Sequence, residues 1–241
     1  TSRAELIEPD ALIAALNRFL HGELAELART HIITHENSPT KDLLKQEWQR
    51  SRELGVYGMT LPKAMGGEAL SGRDQVLIKE AIYASGSPFA PHVLGELSGP
   101  PRVGSLVRQA SPWQMEHVIL PVARAEAAIC FAMTETEAGS DAGAVQTQAV
   151  RVSDEQGEGW VLNGHKRFIS GSPFADWAVL IASTAEPGAA QREISAFFVD
   201  LRAPGASVSS TYKTMAGQSH TGDIHLQNGR VRAEQLIGEP G

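Results

Sequence analysis

The hydrophobic pattern changes character near the middle of the chain. In the first half, apolar residues recur at three- and four-residue spacing, the period of a helix with one buried face. Leu12, Ile13, Leu16, Phe19, Leu20, Leu24 and Leu27 make one such stripe, and Asp10 is placed to cap the helix that carries it. Thr40-Lys41-Asp42 opens a second helix along Leu43, Leu44, Trp48 and Leu54, and Gly55 stops it. The interleaved charges Lys45, Glu47, Arg50, Arg52 and Glu53 read as the solvent face of that helix. Ser71 opens a third helix through Val76, Leu77, Ile78, Ala81 and Ile82. A shorter one follows Ser111-Pro112, from Trp113 to about Ala125. Between the second and third lies a turn-rich connector in which Gly66-Gly67 make a backbone turn.

From about Ile129 the apolar runs become short or alternating and are punctuated by Gly, Asn and Pro. Positions 146–152, 160–162, 167–169, 178–182, 194–199 and 224–226 read as strands. Asn163-Gly164, between two such runs, predicts a hairpin, because both residues tolerate positive φ. The pattern therefore predicts an α+β protein: a helical N-terminal domain over residues 1–128, then a mostly antiparallel β domain over residues 129–241.

Composition narrows the function. Hydrophobic residues make up 42% and charged residues 20%, which suits a packed core rather than a disordered chain. A formal charge of −7 argues against nucleic acid as the main partner. No run reaches the roughly 18 uncharged apolar residues of a membrane span. Thr1-Ser2-Arg3-Ala4-Glu5 lacks the features of a signal or transit peptide. The single cysteine, Cys130, excludes an internal disulfide and a cysteine-cluster zinc site, and its apolar neighbours predict a buried, inert thiol in a reducing compartment. His31 and His35 are four apart without a third ligand type nearby and read as solvated, so no metal site is expected.

Two segments carry candidate chemistry. Residues 130–141 (CFAMTETEAGSD) take an apolar strand into a loop rich in hydroxyls and amides, groups that can meet an anion or the edge of a heterocycle. Taken alone, the loop also reads as ordinary surface. In residues 163–171 (NGHKRFISG), Phe168 can lie against a planar ligand and Ser170 can donate to a ring nitrogen, or the segment is a plain hairpin with Phe168 in the core.

Together the segments resemble the acyl-CoA dehydrogenase family, whose pattern F-A-M-T-E-x-E-A-G-S-D is followed some thirty residues later by N-G-x-K-x-[FW]-I-[ST]. The likeness continues in Glu53-Leu54-Gly55 with Leu61-Pro62 and Gly66-Gly67, in residues 194–200 with Pro204-Gly205, and in Ile224-His225-Leu226 with Val231 and Leu236-Ile237-Gly238. The ordered set spans most of the chain. Three features depart from the family: Thr136 stands where Pro is usual, Phe168 where Trp is common, and Lys213, Met215 and Gly217 are spread out where K-M-G is usual.

The resemblance implies a three-part fold, of which this chain holds the α domain and the central β domain; a C-terminal helical bundle follows in the family. It implies FAD as cofactor. Phe131, Ala132, Met133 and Thr134 would line the flavin, with Thr134 at the pyrimidine edge. Ser140 would sit near the FAD pyrophosphate and the pantetheine arm of the substrate. Phe168, Ile169 and Ser170 would cover one flavin face, with the Ser170 hydroxyl toward N5. The implied reaction is α,β-dehydrogenation of an acyl-CoA or other acyl thioester. A carboxylate takes the α proton, hydride passes to flavin N5, and electrons go on to an electron-transfer flavoprotein. In the family that carboxylate lies in the C-terminal bundle, so no catalytic residue is assigned here, and Glu135 and Glu137 read as solvated loop carboxylates or turn partners. The resemblance also implies a homo-oligomer in the cytoplasm or the mitochondrial matrix. A flavin oxidase or monooxygenase on the same fold is the alternative enzyme, and a non-catalytic partner subunit is the alternative outside enzymes. The retained hydroxyls of Thr134, Ser140 and Ser170 speak against the latter.

Overall fold

The computed structural model describes residues 9–241 except positions 38, 69, 107, 156, 186–192, 210, 216 and 219, so residues 1–5 lie outside the described residues. The chain forms two compact units, residues 1–104 with 123–126 and 213–218, and residues 105–122 with 127–212 and 219–241.

The first unit is helical: α1 (Pro9–His21), α2 (Glu23–His31), α3 (Lys41–Glu53) and α4 (Gly72–Ala84). The long apolar stripe of the sequence is one face of two helices rather than one. The chain breaks at Gly22 (φ −96°, ψ −93°). Its N–H still donates to Arg18 O at 2.9 Å, and a Cβ there would stand 2.6 Å from that same oxygen. Only glycine fits this join. At the other end α1 starts at Pro9, so Asp10 lies inside its first turn and is not the cap expected of it. Leu12, Leu16, Phe19, Leu20 and Leu24 are buried as their spacing requires. The other helix starts follow the sequence. Thr40 Oγ1 accepts from the Leu43 N–H at 3.3 Å, and Ser71 Oγ accepts from the Asp74 N–H at 3.2 Å. Val76 is exposed, and α4 buries Ile78 and Ile82 instead.

One reading of α3 is corrected. Glu47 does not belong to the solvent face; it is fully buried with Leu43, Leu44, Trp48 and Ser51, the face that a 3.6-residue period selects. Its Oε1 accepts from Ser51 Oγ at 2.7 Å, while Oε2 has no partner among the described residues. Burial pushes its carboxyl up to about 8, so it is mostly neutral at pH 7.

Residues 112–123 form one helix in three pieces: α5 (Pro112–Gln114), a five-residue π segment (Met115–Ile119) and α6 (Leu120–Ala123). Ser111 and Gln114 close a capping box at its start. The buried Gln114 side chain also donates to the carbonyls of Glu234 and Leu236, at 2.8 and 2.7 Å.

The second unit is built on a mixed sheet. Its strands are β1 (Ile129–Ala132), β2 (Gln148–Asp154), β3 (Gly157–Ser170), β4 (Trp177–Ser183), β5 (Ile194–Asp200), β6 (Ala206–Val208), β9 (Thr221–Arg232) and β10 (Leu236–Ile237). The short strands β7 (Lys213–Thr214) and β8 (Gly217–Gln218) pair only with each other. The order is β10-β5-β4-β2-β3-β9-β6, with β1 beside β4. The β1–β4 pairing and a single β2–β4 step are parallel; the rest is antiparallel. Cys130, Leu162, Ile169, Leu180, Phe197 and Ile224 share the core.

Asn163-Gly164 makes no hairpin. It lies inside β3, which runs straight through both runs read as separate strands. There the β3–β9 ladder shifts register twice, between Leu162 and Gly164 and between Lys166 and Ile169. The partner numbers show that the shifts oppose each other. Leu162 pairs with Gly229, Lys166 with Ile224 and Ile169 with Gly222, so β9 carries the extra residue first and β3 carries it second. Each bulge holds a non-glycine residue in left-handed backbone, Asn228 (φ 53°) and Phe168 (φ 56°). A side-chain oxygen of the opposite strand receives each of their N–H groups: Asn163 Oδ1 that of Asn228 at 2.8 Å, and Asp223 Oδ1 that of Phe168 at 3.0 Å. Gly164 is required for a different reason, since a Cβ there would stand 2.3 Å from Thr147 Oγ1.

Glu47 makes stability depend on pH. Its folded value lies above the unfolded one, so its contribution is complete in mild acid and is lost as pH rises toward 8. Urea unfolding should weaken by about 1.4 kcal/mol per pH unit across that window. Glu47→Gln should flatten the slope, and an unchanged slope would place the titration elsewhere.

Candidate functional site

The two segments singled out in the sequence are joined by a buried ion pair. Lys166, from the middle of β3, is fully buried and its ammonium lies 2.6 Å from Glu135 Oε1. Glu135 is correspondingly not a solvated loop carboxylate. It is buried, and it also accepts from the N–H groups of Gln146 (2.6 Å) and Thr147 (3.0 Å) and from the Thr147 hydroxyl (2.5 Å). Burial alone would raise its carboxyl, but Lys166, Thr147 and Gln146 together hold it below the usual carboxylate range. Burial pulls the Lys166 ammonium down, and Glu135 opposes that. Two further bonds tie loop to strand: Lys166 Nζ donates to Met133 O at 3.1 Å, and the Arg167 N–H donates to Thr134 O at 2.8 Å. Glu137, by contrast, is exposed as expected.

Beyond Lys166 the second bulge lifts Phe168 out of the ladder. Its ring is 55% exposed, with the Arg167 guanidinium 4.8 Å from its centroid and the Tyr212 ring 5.0 Å away. Asp223 on β9 is the hub beneath it. Oδ1 accepts from the Phe168 N–H and from the Tyr212 hydroxyl (2.7 Å), while Oδ2 lies 3.2 Å from His165 Nε2. Burial works to raise Asp223, and these partners hold it below its ordinary value.

The remaining expected residues divide by exposure. Phe131 is 42% exposed between buried Cys130 and Ala132. Met133 and Thr134 are half-buried, and Ser140 and Ser170 are exposed. The hydroxyls of Thr134 and Ser140 have no hydrogen-bond partner among the described residues. Ser170 Oγ lies 3.5 Å from Thr221 Oγ1. Ala132 and Ile169 have their side chains in the sheet core, so only their backbone is available to a ligand. No group of three or more potential metal ligands occurs among the described residues, and no helix there is long and apolar enough to cross a membrane.

Lys166, Thr147, Tyr212 and Asp223 were not singled out from the sequence. For Lys166 a signal existed: Trp160, Leu162 and Lys166 share one strand parity, and Ile169 breaks it. A buried lysine and a bulge follow from that pattern.

Comparison with known proteins gives the family. Residues 8–126 match the N-terminal domain of acyl-CoA dehydrogenases, and residues 130–228 match the middle domain. The chain belongs to the acyl-CoA dehydrogenase family. It is 31% identical to a 3-(aryl)acrylate reductase of Clostridium sporogenes over 86% of this chain and 53% of that protein. It is also 31% identical to subunit CarC of the caffeyl-CoA reductase–Etf complex of Acetobacterium woodii, over 92% of this chain and 57% of that one. The structure of a Bacillus anthracis acyl-CoA dehydrogenase complexed with FAD superposes with a TM-score of 0.70 at 27% identity, covering 97% of this chain and 38% of that one. The chain thus spans about half the length of the curated family members it matches.

Removing one partner of the buried pair should be far costlier than removing both. Lys166→Met should lower unfolding free energy by about 3–5 kcal/mol, because Glu135 is left buried and charged. Adding Glu135→Gln should recover a large part of the loss. Urea unfolding of the four-member cycle gives the coupling, and strictly additive effects would show that the two side chains act independently.

Proposed function

We propose that these residues form the flavin-facing part of an FAD-dependent acyl-CoA dehydrogenase, which removes the α and β hydrogens of an acyl-CoA or related thioester and delivers the electrons to an electron-transfer flavoprotein. The observation that carries the reading is Phe168. A large apolar ring held exposed, on left-handed backbone pinned by Asp223, is a costly arrangement that a folded sheet does not need. A planar ligand stacked on it accounts for that cost. The residues present fit a flavin. Phe131 and Phe168 offer exposed apolar faces, and Thr134, Ser140 and Ser170 offer hydroxyls to a heteroatom-rich edge or a phosphate. Arg167 adds positive charge beside Phe168, which suits an anionic ligand.

Bound there, FAD would supply the two-electron acceptor that thioester oxidation requires. Ser170 would orient the N5 edge of the ring and Thr134 the pyrimidine edge, while Ser140 would face both the cofactor pyrophosphate and the substrate's pantetheine arm. On this reading the catalytic carboxylate lies outside these residues, and the two buried acids of the site serve its structure. Glu135 is locked to Lys166 and Thr147, and Asp223 to Phe168 and Tyr212. The reductase names of two similar proteins favour a second reading, in which the same residues serve reduction of an α,β-unsaturated acyl derivative. The redox partner would then set the direction.

Two measurements test the proposal. In the complete enzyme, Ser170→Ala should lower the flavin reduction potential and slow anaerobic reduction by substrate by roughly tenfold or more, since a hydrogen bond to a charged acceptor contributes about 1.5–3 kcal/mol. Thr134→Ala should act in the same direction. Ser153→Ala, on the exposed side of β2, should behave as the parent. If Ser170→Ala and Ser153→Ala behave alike, this segment is not at the cofactor. Separately, residues 1–241 supplied with FAD should not dehydrogenate any acyl-CoA; turnover by them would return the base to an acid of this chain.

A further inference from the structure

The helical unit contains a cavity of about 710 Å³, far in sequence from the segments around Phe131 and Phe168 and lined wholly by residues within 9–104 and 123–126. Its volume lies in the range of small-molecule sites. One part of its lining is apolar and comes from the core: Leu12, Leu16 and Phe19 of α1 with Val56 and Leu61 from the connector after α3, all under 7% exposed. Another part is charged. Arg18, Arg52 and Arg124 line it, are exposed, and have no ion-pair or hydrogen-bond partner among the described residues. The two acids that also line it, Glu23 and Glu53, are both engaged by Arg50.

The charge balance is therefore one-sided. Three cationic side chains without carboxylate partners border an apolar interior, and the two lining carboxylates share a single outside cation, Arg50, so positive charge exceeds negative around the cavity. The wall further includes the ring of Tyr57, whose buried hydroxyl packs beside Gly99, outside the lining. A ligand matching all of this has an aliphatic body for the leucines and an anionic head for the arginines. A purely apolar guest would leave the cations unused, and a simple anion would leave the wall wetted.

We infer that this cavity is a binding site for an amphipathic anion, an aliphatic carboxylate, whose chain lies against Leu12, Leu16, Phe19, Val56 and Leu61 and whose head group is held by Arg18, Arg52 and Arg124. It does not rest on the flavin reading, because no cavity residue belongs to the segments around Phe131 or Phe168.

Isothermal titration calorimetry of the flavin-free protein with decanoate at low salt is the test. Saturable one-site binding is expected. Decanol, which lacks the charge, and inorganic phosphate, which lacks the chain, should each bind at least ten times more weakly. The triple variant Arg18→Gln/Arg52→Gln/Arg124→Gln should weaken decanoate at least tenfold, and 0.5 M salt should weaken the parent in the same direction. Ala15→Phe, which places a ring at the lining from α1, should abolish binding by occupancy and keeps the test decisive if the triple variant does not fold. No saturable binding of decanoate, or decanoate held as tightly by either variant as by the parent, overturns the assignment.

Discussion

The ammonium of Lys166 is the group on which the rest of the β unit's candidate site depends. A lysine fully removed from water is tolerable only with a counter-charge and hydrogen-bond acceptors, and Glu135 and Met133 O provide them. Satisfying that one cation fixes the loop after β1 against the middle of β3. The Arg167 N–H then reaches Thr134 O, and the strand is free to bulge immediately afterwards. The hydroxyls of the loop and the ring of Phe168 acquire their relation to one another through this buried link, rather than through any contact of their own. A polar core of this kind adds little net stability compared with apolar packing, but it tolerates almost no alternative arrangement.

The helical unit handles a buried acid in the opposite way. Glu47 has Ser51 for company and no cation, so its carboxyl stays largely protonated where Glu135 stays charged. The two acids show how a neighbour, rather than depth, decides the state of a buried carboxyl. They also show why charge alone misleads in reading a helix, since Glu47 sits at a position whose spacing from Leu43, Leu44 and Trp48 already puts it inside.

Most of the architecture was legible in the chain. Caps at Thr40, Ser71 and Ser111 and the change of period near Ile129 gave the helix starts and the passage to strands, because each depends on neighbours in sequence. The break at Gly22 interrupts no periodicity and so leaves no mark in the apolar stripe, while Asn163-Gly164 reads as a hairpin because the decisive atoms, of Thr147 and Asn228, are distant in sequence. Turn chemistry in isolation favours a hairpin at Asn-Gly, and pairing to β9 overrode it. The motif residues were located by pattern, but the side chains that hold them, Asp223 and Tyr212, lie some fifty residues away and carry no local mark.

The opposed bulges of β3 and β9 have an evolutionary consequence. Each adds one residue to one strand, and the pairs on either side of it are those of an uninterrupted ladder. Deleting Phe168 alone would leave Lys166 opposite Ile224 and Ile169 opposite Gly222 with one residue between them on each strand, and deleting Asn228 alone would do the same between the pairs Leu162–Gly229 and Gly164–Leu226. Either deletion keeps the flanking ladder in register, and that of Phe168 also removes the raised aromatic. Loss of the raised aromatic in a lineage is therefore open to a single-residue step that leaves the rest of the ladder intact, so the scaffold beneath does not protect the ring and only its use can.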